Sequence, residues 1–158
     1  MTDSDRSLRE HVAKLLDGGQ AHVEMDTVVD KISFDDLSRK PEGAPWTLWE
    51  LFEHIRIAQW DILEFSRSAE HESPEFPKGY WPAEPAPSNA DAWAQSVASF
   101  RRDLEAMKAM VLDPHVDLHT KIAHGDGQTI LREAMVTADH NAYHLGEMVL
   151  MMKMLGSW

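Results

Sequence analysis

Residues 130–155 of the chain read ILREAMVTADHNAYHLGEMVLMMKML, and the pattern of apolar residues in them indicates the type of fold. One set of side chains recurs in steps of three or four residues: Ile130, Ala134, Thr137, Asn141, Leu145, Met148, Met152 and Leu155. That spacing predicts a long amphipathic helix, which begins after the loop 125–127 and stops at Gly156. The helix carries two histidines, His140 and His144.

Three segments upstream show the same periodicity. The first covers residues 4–17, the second begins near Trp46 or Thr47 and continues to Phe65, and the third runs to Pro114 with Ser88 as its expected N-cap. No stretch has the sustained alternation of Val, Ile and Thr that marks a half-buried strand. Four long helices predict an all-α protein, a four-helix bundle that forms a single domain over residues 1–158.

Two segments between the long helices are irregular in pattern. Residues 23–37 have a weaker apolar pattern and are expected to form a connector with one or two short helical turns. Residues 71–88 contain five of the eight prolines, which excludes a helix there. Because Phe76, Tyr80 and Trp81 lie among those prolines, we expect a long loop packed on the bundle rather than a polar linker between domains.

The composition excludes several classes of function. The chain has 158 residues with a formal net charge of -12, nine His and no Cys. Without Cys there is no disulfide, thiolate nucleophile or cysteinyl metal site, so any metal must be held by nitrogen and oxygen donors. The acidic charge opposes binding to nucleic acid or anionic lipid, which leaves small molecules, cations or other proteins as partners. An acidic N-terminus and the lack of a long apolar run predict a soluble, cytoplasmic protein without a membrane span.

Three of the nine histidines fall at positions suited to metal binding. His140 and His144 are four residues apart, so their imidazoles project from one helix face like a chelating arm. His54 lies on the apolar stripe of the second long helix. Each also has an ordinary interpretation, because hydrogen-bonded His pairs and buried core histidines are common. Together they would give one ion three nitrogen donors and leave a position open, which is the pattern of catalytic zinc sites.

Known metal motifs are absent, and one loop histidine stands out. Asn141 occupies the place where the zinc-protease helix has its general-base Glu, and no Glu-x-x-His pair of a di-iron bundle occurs. His115 and His119 lie in the loop after Pro114 and are expected to be solvated. His124 precedes Gly125-Asp126-Gly127, and we expect this loop to lean over the mouth of the bundle.

Three carboxylates are near the histidines in sequence. Glu50, Asp139 and Glu147 are candidates to orient an imidazole or to act as a base, and His124 joins them as a candidate catalytic residue. The alternative for each carboxylate is a surface charge or one that complements a helix dipole. His11, His22 and His71 show no usable pattern.

With His54 in an aromatic-rich second helix and Asp139-His140-Asn141-Ala142-Tyr143-His144-Leu145-Gly146-Glu147 in the last, the chain resembles the DinB/YfiT-like superfamily of four-helix-bundle metalloenzymes. The resemblance implies one divalent ion, zinc or nickel most often and iron or manganese in some cases, held by His54, His140 and His144 with water completing the shell. It also implies a homodimer. One departure is Glu147, where relatives often carry Gln.

These observations lead to two functional hypotheses. The first is a metal-dependent enzyme, of the thiol-dependent transferase or hydrolase type, in which the ion acts as a Lewis acid on a small molecule. Because the chain lacks Cys, a thiol would come from outside as a low-molecular-weight substrate. The second is a non-catalytic metal-binding or stress-response protein that acts through dimerisation or partner binding.

Overall fold

The computed structural model describes residues 2–158 and is built from helices. The helices are α1 (Asp3–Asp17), α2 (Met25–Val29), α3 (Leu48–Arg67), α4 (Ala90–Leu112) and α5 (Ile130–Leu155), with single 3-10 turns at Phe34–Ser38 and Lys78–Tyr80. Within residues 2–158 there is no strand, and β-type pairing is limited to an isolated bridge between Lys121 and Thr129. The prediction of an all-α fold is therefore confirmed. Among the described residues, no helix combines the length and apolar character that crossing a membrane requires.

The N-terminal caps show why the long helices begin where they do. Thr47 and Glu50 form a reciprocal capping box at α3, and the Thr129 side chain accepts a hydrogen bond from the Arg132 amide at α5. For α4 the expectation of a Ser88 cap is wrong, because the Asn89 side chain accepts from the Ala92 amide at 2.9 Å. Ser and Asn are equally good caps, so their relative propensities cannot decide between adjacent positions.

The four long helices pack as a bundle in which α4 and α5 each contact the other three long helices. Both α3 and α1 pack against α4 and α5. The larger part of the core joins α3, α4 and α5 through side chains that include Leu51, Phe52, Ile55, Phe100 and Met148. A second cluster packs α1 against the other long helices, and it includes Val12, Leu16, Leu63, Met107 and Ala134. The His54 end of α3 and the middle of α5 are thus held side by side by the main core.

The loop 71–88 lies against the bundle, near the start of α3. The Thr47 hydroxyl donates to the Pro85 carbonyl at 2.7 Å, and the Trp49 indole N–H donates to the Glu84 carbonyl at 3.1 Å. Trp81 packs against the main core. These contacts place the aromatic part of the loop over the face of α3 that carries His54.

Candidate metal site

Three histidines from two helices converge in the bundle. His54 lies on α3, and His140 and His144 lie one turn apart on α5. One ring nitrogen from each lies within 4.8 Å of the others, and the Nε2 atoms of His54 and His140 are 3.2 Å apart. All three side chains are half-buried. The structure thus brings together the three residues that the sequence singled out, while metal binding by them stays a prediction.

The hydrogen bonds of two rings identify which nitrogen is free. His54 Nδ1 lies 2.9 Å from the Tyr80 carbonyl oxygen, and His144 Nδ1 lies 2.6 Å from Glu147 Oε2. Carbonyl and carboxylate oxygens accept hydrogen bonds, so each Nδ1 is the donor. In a neutral ring Nε2 then carries the lone pair, which is the arrangement of histidines that bind a metal through Nε2.

Burial affects the protonation of His140 and His54. Burial, followed by the nearby His144 and His54 rings, lowers the pKa of His140 to about 4, and burial also lowers the pKa of His54. Among the described residues, His140 Nδ1 is a buried atom without a hydrogen-bond partner.

These observations show that the donor set fits a divalent cation. Lone pairs directed at one another at 3.2 Å repel unless a proton or a cation lies between them. The low pKa values of His54 and His140 mean that these rings are neutral, and neutral imidazole donors suit zinc and nickel. Without a cation, a neutral His140 can donate its own Nε2 proton to Nε2 of His54.

Aromatic rings cover one face of His54. The indole of Trp81 stacks on His54 with ring centroids 4.1 Å apart and planes 3° apart. Trp46 stacks in turn on Trp81 at 3.7 Å. The stack fixes the plane of His54, so Nε2 stays directed toward α5 while Nδ1 stays on the Tyr80 carbonyl.

A buried amide pair beside His140 connects three helices. Gln59 is fully buried and its amide donates to the Phe100 carbonyl at 2.8 Å. Its oxygen accepts from the Asn141 amide at 2.8 Å. This pair ties α3, α4 and α5 together next to the histidines. Asn141 occupies the position that the general-base Glu has in the zinc-protease helix. Here its side chain makes this structural hydrogen bond to Gln59 instead.

The three candidate carboxylates have different positions. Glu147 contacts His144 directly, as described above. Glu50 accepts a hydrogen bond from the Thr47 amide at 2.7 Å and so caps α3. Asp139 is exposed and lines a shallow surface cleft with Met135 and Arg132 on α5. Of the three, only Glu147 is bonded to one of the histidines among residues 2–158.

The structure does not bring His124 to the other histidines. Its Nε2 lies 2.7 Å from the Phe65 carbonyl, at the end of α3 and eleven residues beyond His54. Eleven residues of helix span about 16 Å. The loop that carries His124 leads into Ile130, ten residues and roughly 15 Å before His140 along α5. His115 and His119 are exposed in the same loop.

A buried cluster on α3, two turns after His54, was not predicted from the sequence. Asp61 accepts two hydrogen bonds, one from His71 Nε2 at 2.7 Å and one from the Tyr80 hydroxyl at 2.6 Å. Burial, and then the Asp61 carboxylate, raises the pKa of Tyr80 to about 12, so the phenol keeps its proton and donates. One signal was available: Asp61 follows His54 by seven residues, and helix positions two turns apart share a face.

An apolar groove adjoins Glu147. A cavity of about 300 Å³ lies between the segment before α3 and the last turns of α5. Its walls include Trp46, Leu51, Leu150, Met151 and Met154, and its acidic groups are Glu42 and Glu147. Glu147, which contacts His144, and Trp46, which stacks on Trp81, both line this groove, so the groove lies beside the histidine cluster.

Comparison with known families gives one match. The family model of the DinB superfamily matches residues 19–148, which include all three clustered histidines. Comparisons with curated proteins and with solved structures give no match.

Proposed function

Because the chain belongs to the DinB superfamily, we propose that it binds one divalent metal ion through His54, His140 and His144 and acts as a metal-dependent enzyme on a small molecule. The observation that carries the proposal is the convergence of three imidazoles from α3 and α5, two of them with Nδ1 already engaged as donor. Zinc or nickel is the expected ion, with iron or manganese as the next candidates.

The proposed reaction type combines the donor set with what the resemblance to the DinB/YfiT-like superfamily implies. Three protein ligands leave coordination positions for exchangeable groups. When bound there, a divalent ion supplies Lewis-acid chemistry, either by lowering the pKa of a water molecule or by holding a small-molecule thiolate for attack on an electrophile. We accordingly assign the protein to the thiol-dependent transferase or hydrolase type. The thiol is a substrate, since the chain has no Cys.

The residues around the histidines have distinct tasks in this proposal. Glu147 accepts a hydrogen bond from Nδ1 of His144, and this bond keeps Nε2 of His144 directed at the ion. The Trp81 ring excludes water from one face of His54. The groove beside Glu147 has apolar walls and is large enough for a small substrate, which supports binding of a molecule with an apolar portion next to the ion.

The experiment combines elemental analysis with an activity screen. Purified protein is analysed for metal, then incubated with low-molecular-weight thiols and electrophiles, and separately with ester and amide substrates. Wild type is compared with chelator-treated protein and with His140→Ala, and His124→Ala serves as the matched control. Turnover that needs both the metal and His140 supports the proposal. Turnover unaffected by the chelator would contradict it.

A specific observation favours a second candidate, a non-catalytic protein that acts through dimerisation. Met135, Tyr143, Leu150 and Met154 are all about half-exposed or more, and they lie within an arc of about 100° on α5. An exposed apolar stripe of this kind is typical of an interface. Sedimentation analysis of wild type and Leu150→Lys tests it, because a dimer built on this stripe should dissociate in the variant. A monomeric wild type would contradict it.

A further inference from the structure

Asp61 is a buried charged group that the proposed metal chemistry does not use. Its residue is 7% exposed, and it lies on α3 two turns after His54. A buried carboxylate is costly unless hydrogen bonds satisfy it. Here both oxygens are satisfied by residues of the loop that follows α3, His71 on one and Tyr80 on the other. Asp61 is thus one of the points at which this loop is fastened to the helix, and it holds the first half of the loop.

Tyr80 connects Asp61 to the histidine cluster. Its hydroxyl donates to Asp61, while its backbone carbonyl accepts the Nδ1 proton of His54 at 2.9 Å. The next residue, Trp81, stacks on the same imidazole. The position of the Tyr80 side chain therefore determines two contacts that orient His54, one through the carbonyl and one through the indole.

His71 provides the second point of attachment. Its Nε2 bonds to Asp61, and its ring meets the edge of Trp60 at 5.1 Å. Between His71 and Tyr80, the residues 72–79 are exposed except for Pro74. A mostly solvated segment has little intrinsic order, so its ends depend on such anchors. Asp61 anchors both ends at once.

We infer that Asp61 is a positioning residue for the metal ligand His54. Through the Tyr80 hydroxyl it holds the Tyr80 carbonyl on Nδ1, which keeps His54 in the tautomer whose Nε2 is free for the ion. The inference rests on the proposed metal-binding function. It adds a series of contacts in which Asp61 on α3 bonds to Tyr80 in the loop, and Tyr80 bonds to His54 on α3.

The experiment uses Tyr80→Phe and Asp61→Asn in the full chain. Tyr80→Phe removes only the hydroxyl and leaves the backbone carbonyl in place, so it keeps the test valid if Asp61→Asn folds poorly. Glu133→Gln is the matched control, because Glu133 is a carboxylate buried to a similar degree, bonded to Arg132 on α5 seven residues before His140. Zinc affinity is measured by competition with a chromophoric chelator. The His54 tautomer is read from ring nitrogen NMR shifts of the metal-free protein.

The inference predicts that both variants bind zinc about tenfold more weakly, the lower end of the range for partners that act on a ligand from outside the coordination shell. It also predicts a mixture of His54 tautomers in the variants and a single Nδ1–H form in wild type and Glu133→Gln. Equal zinc binding by all four proteins, an unchanged tautomer in both variants, or the same loss in Glu133→Gln would each overturn it. Absence of zinc binding by wild type would instead overturn the proposed function, and the inference with it.

Discussion

The backbone carbonyl of Tyr80 lies 2.9 Å from Nδ1 of His54. A residue from the proline-rich loop thus fixes the tautomer of a histidine on α3, twenty-six positions earlier in the chain. Because the acceptor is a main-chain oxygen, its position depends on how the loop is held, and the bond from the Tyr80 hydroxyl to Asp61 is one of the contacts that hold it. The loop 71–88 therefore belongs to the candidate site as much as the helices do.

Substitution of Glu147 tests how far its carboxylate supports His144. Glu147→Ala removes the acceptor of the Nδ1 proton, and we expect zinc affinity to fall by about 10- to 100-fold. Glu147→Gln should lose less than about tenfold, because an amide oxygen still accepts the bond and only the charge is lost. Chelator competition measures both. Asp139→Ala is the control, an exposed carboxylate of the same helix, and a loss as large as that of Glu147→Ala would contradict the assignment.

The stack of Trp81 on His54 predicts a fluorescence signal on metal binding. Nickel or cobalt bound to His54 would lie within a few ångströms of the stacked indole, so titration of either ion should quench part of the tryptophan emission. Most of that quenching should disappear in Trp81→Phe. Trp158→Phe, which changes the partly exposed C-terminal indole, should keep it. Equal quenching in both variants would show that the signal arises elsewhere.

The helices and two of the three clustered histidines could be predicted from the sequence because they depend on local spacing. His140 and His144 are four residues apart, and helical geometry alone places them on one face. Prediction of His54 required one more step, because the positions of the apolar residues on its helix had to show that His54 faces the core. That stripe also accounts for the burial of Leu51 and Ile55 around it.

The partners of Asp61 and the position of His124 could not be predicted, because both depend on how a loop returns to a helix. The pattern of prolines shows that residues 71–88 are not helical, but not that Tyr80 returns to His54 or His71 to Asp61. The sequence predicts that the Gly-rich loop after His124 leans over the mouth of the bundle. In the structure this loop lies beside Phe65, and ten residues of α5 separate the start of that helix from His140.

Arg9 should be one of the most important residues for stability. It is a buried Arg of α1, and it donates at 2.8 Å to the carbonyls of Val111, Asp113 and Val116 at the end of α4. A cation there also complements the helix dipole. Arg9→Met leaves these carbonyls without their donor, and we expect the free energy of unfolding to fall by about 3 kcal/mol in urea titrations.

Two variants control the Arg9 experiment. Arg9→Lys keeps the charge but not the planar fork of donors, so its loss should be intermediate. Arg6→Met changes an exposed Arg of the same helix and should stay within about 0.5 kcal/mol of wild type. If Arg9→Met were as stable as Arg6→Met, the contacts with the end of α4 would contribute nothing measurable.

The stability of the C-terminal end should depend on pH through Asp36. Hydrogen bonds from Ser33, and also from Arg39 and Ser157, lower the pKa of Asp36 below its ordinary value of 3.8. A lowered folded pKa means that the stabilisation is present above pH 3.8 and is lost as pH falls through the folded value. Asp36→Asn should therefore be less stable than wild type at pH 7, by about 1.5 kcal/mol from lost charge-assisted bonds.

The same comparison repeated at low pH separates charge from packing. Urea unfolding at pH 7 and near pH 3 should show the difference between wild type and Asp36→Asn shrinking as the carboxylate is protonated. Asp35→Asn is a suitable control, because Asp35 is the exposed neighbour in the same 3-10 turn. A difference that did not change with pH would indicate that packing, not the charge of Asp36, sets its contribution.

The most direct test of the proposed metal site is a metal titration of the purified, chelator-stripped protein. Isothermal calorimetry with zinc should give one equivalent per chain for wild type and for His124→Ala, whose histidine lies at the far end of α3. Binding should be lost or weakened by orders of magnitude in His54→Ala, His140→Ala and His144→Ala, since each removes one of the three clustered donors. If wild type took up no stoichiometric metal, or if the three variants bound it as wild type does, the convergence of these histidines would not be a metal site.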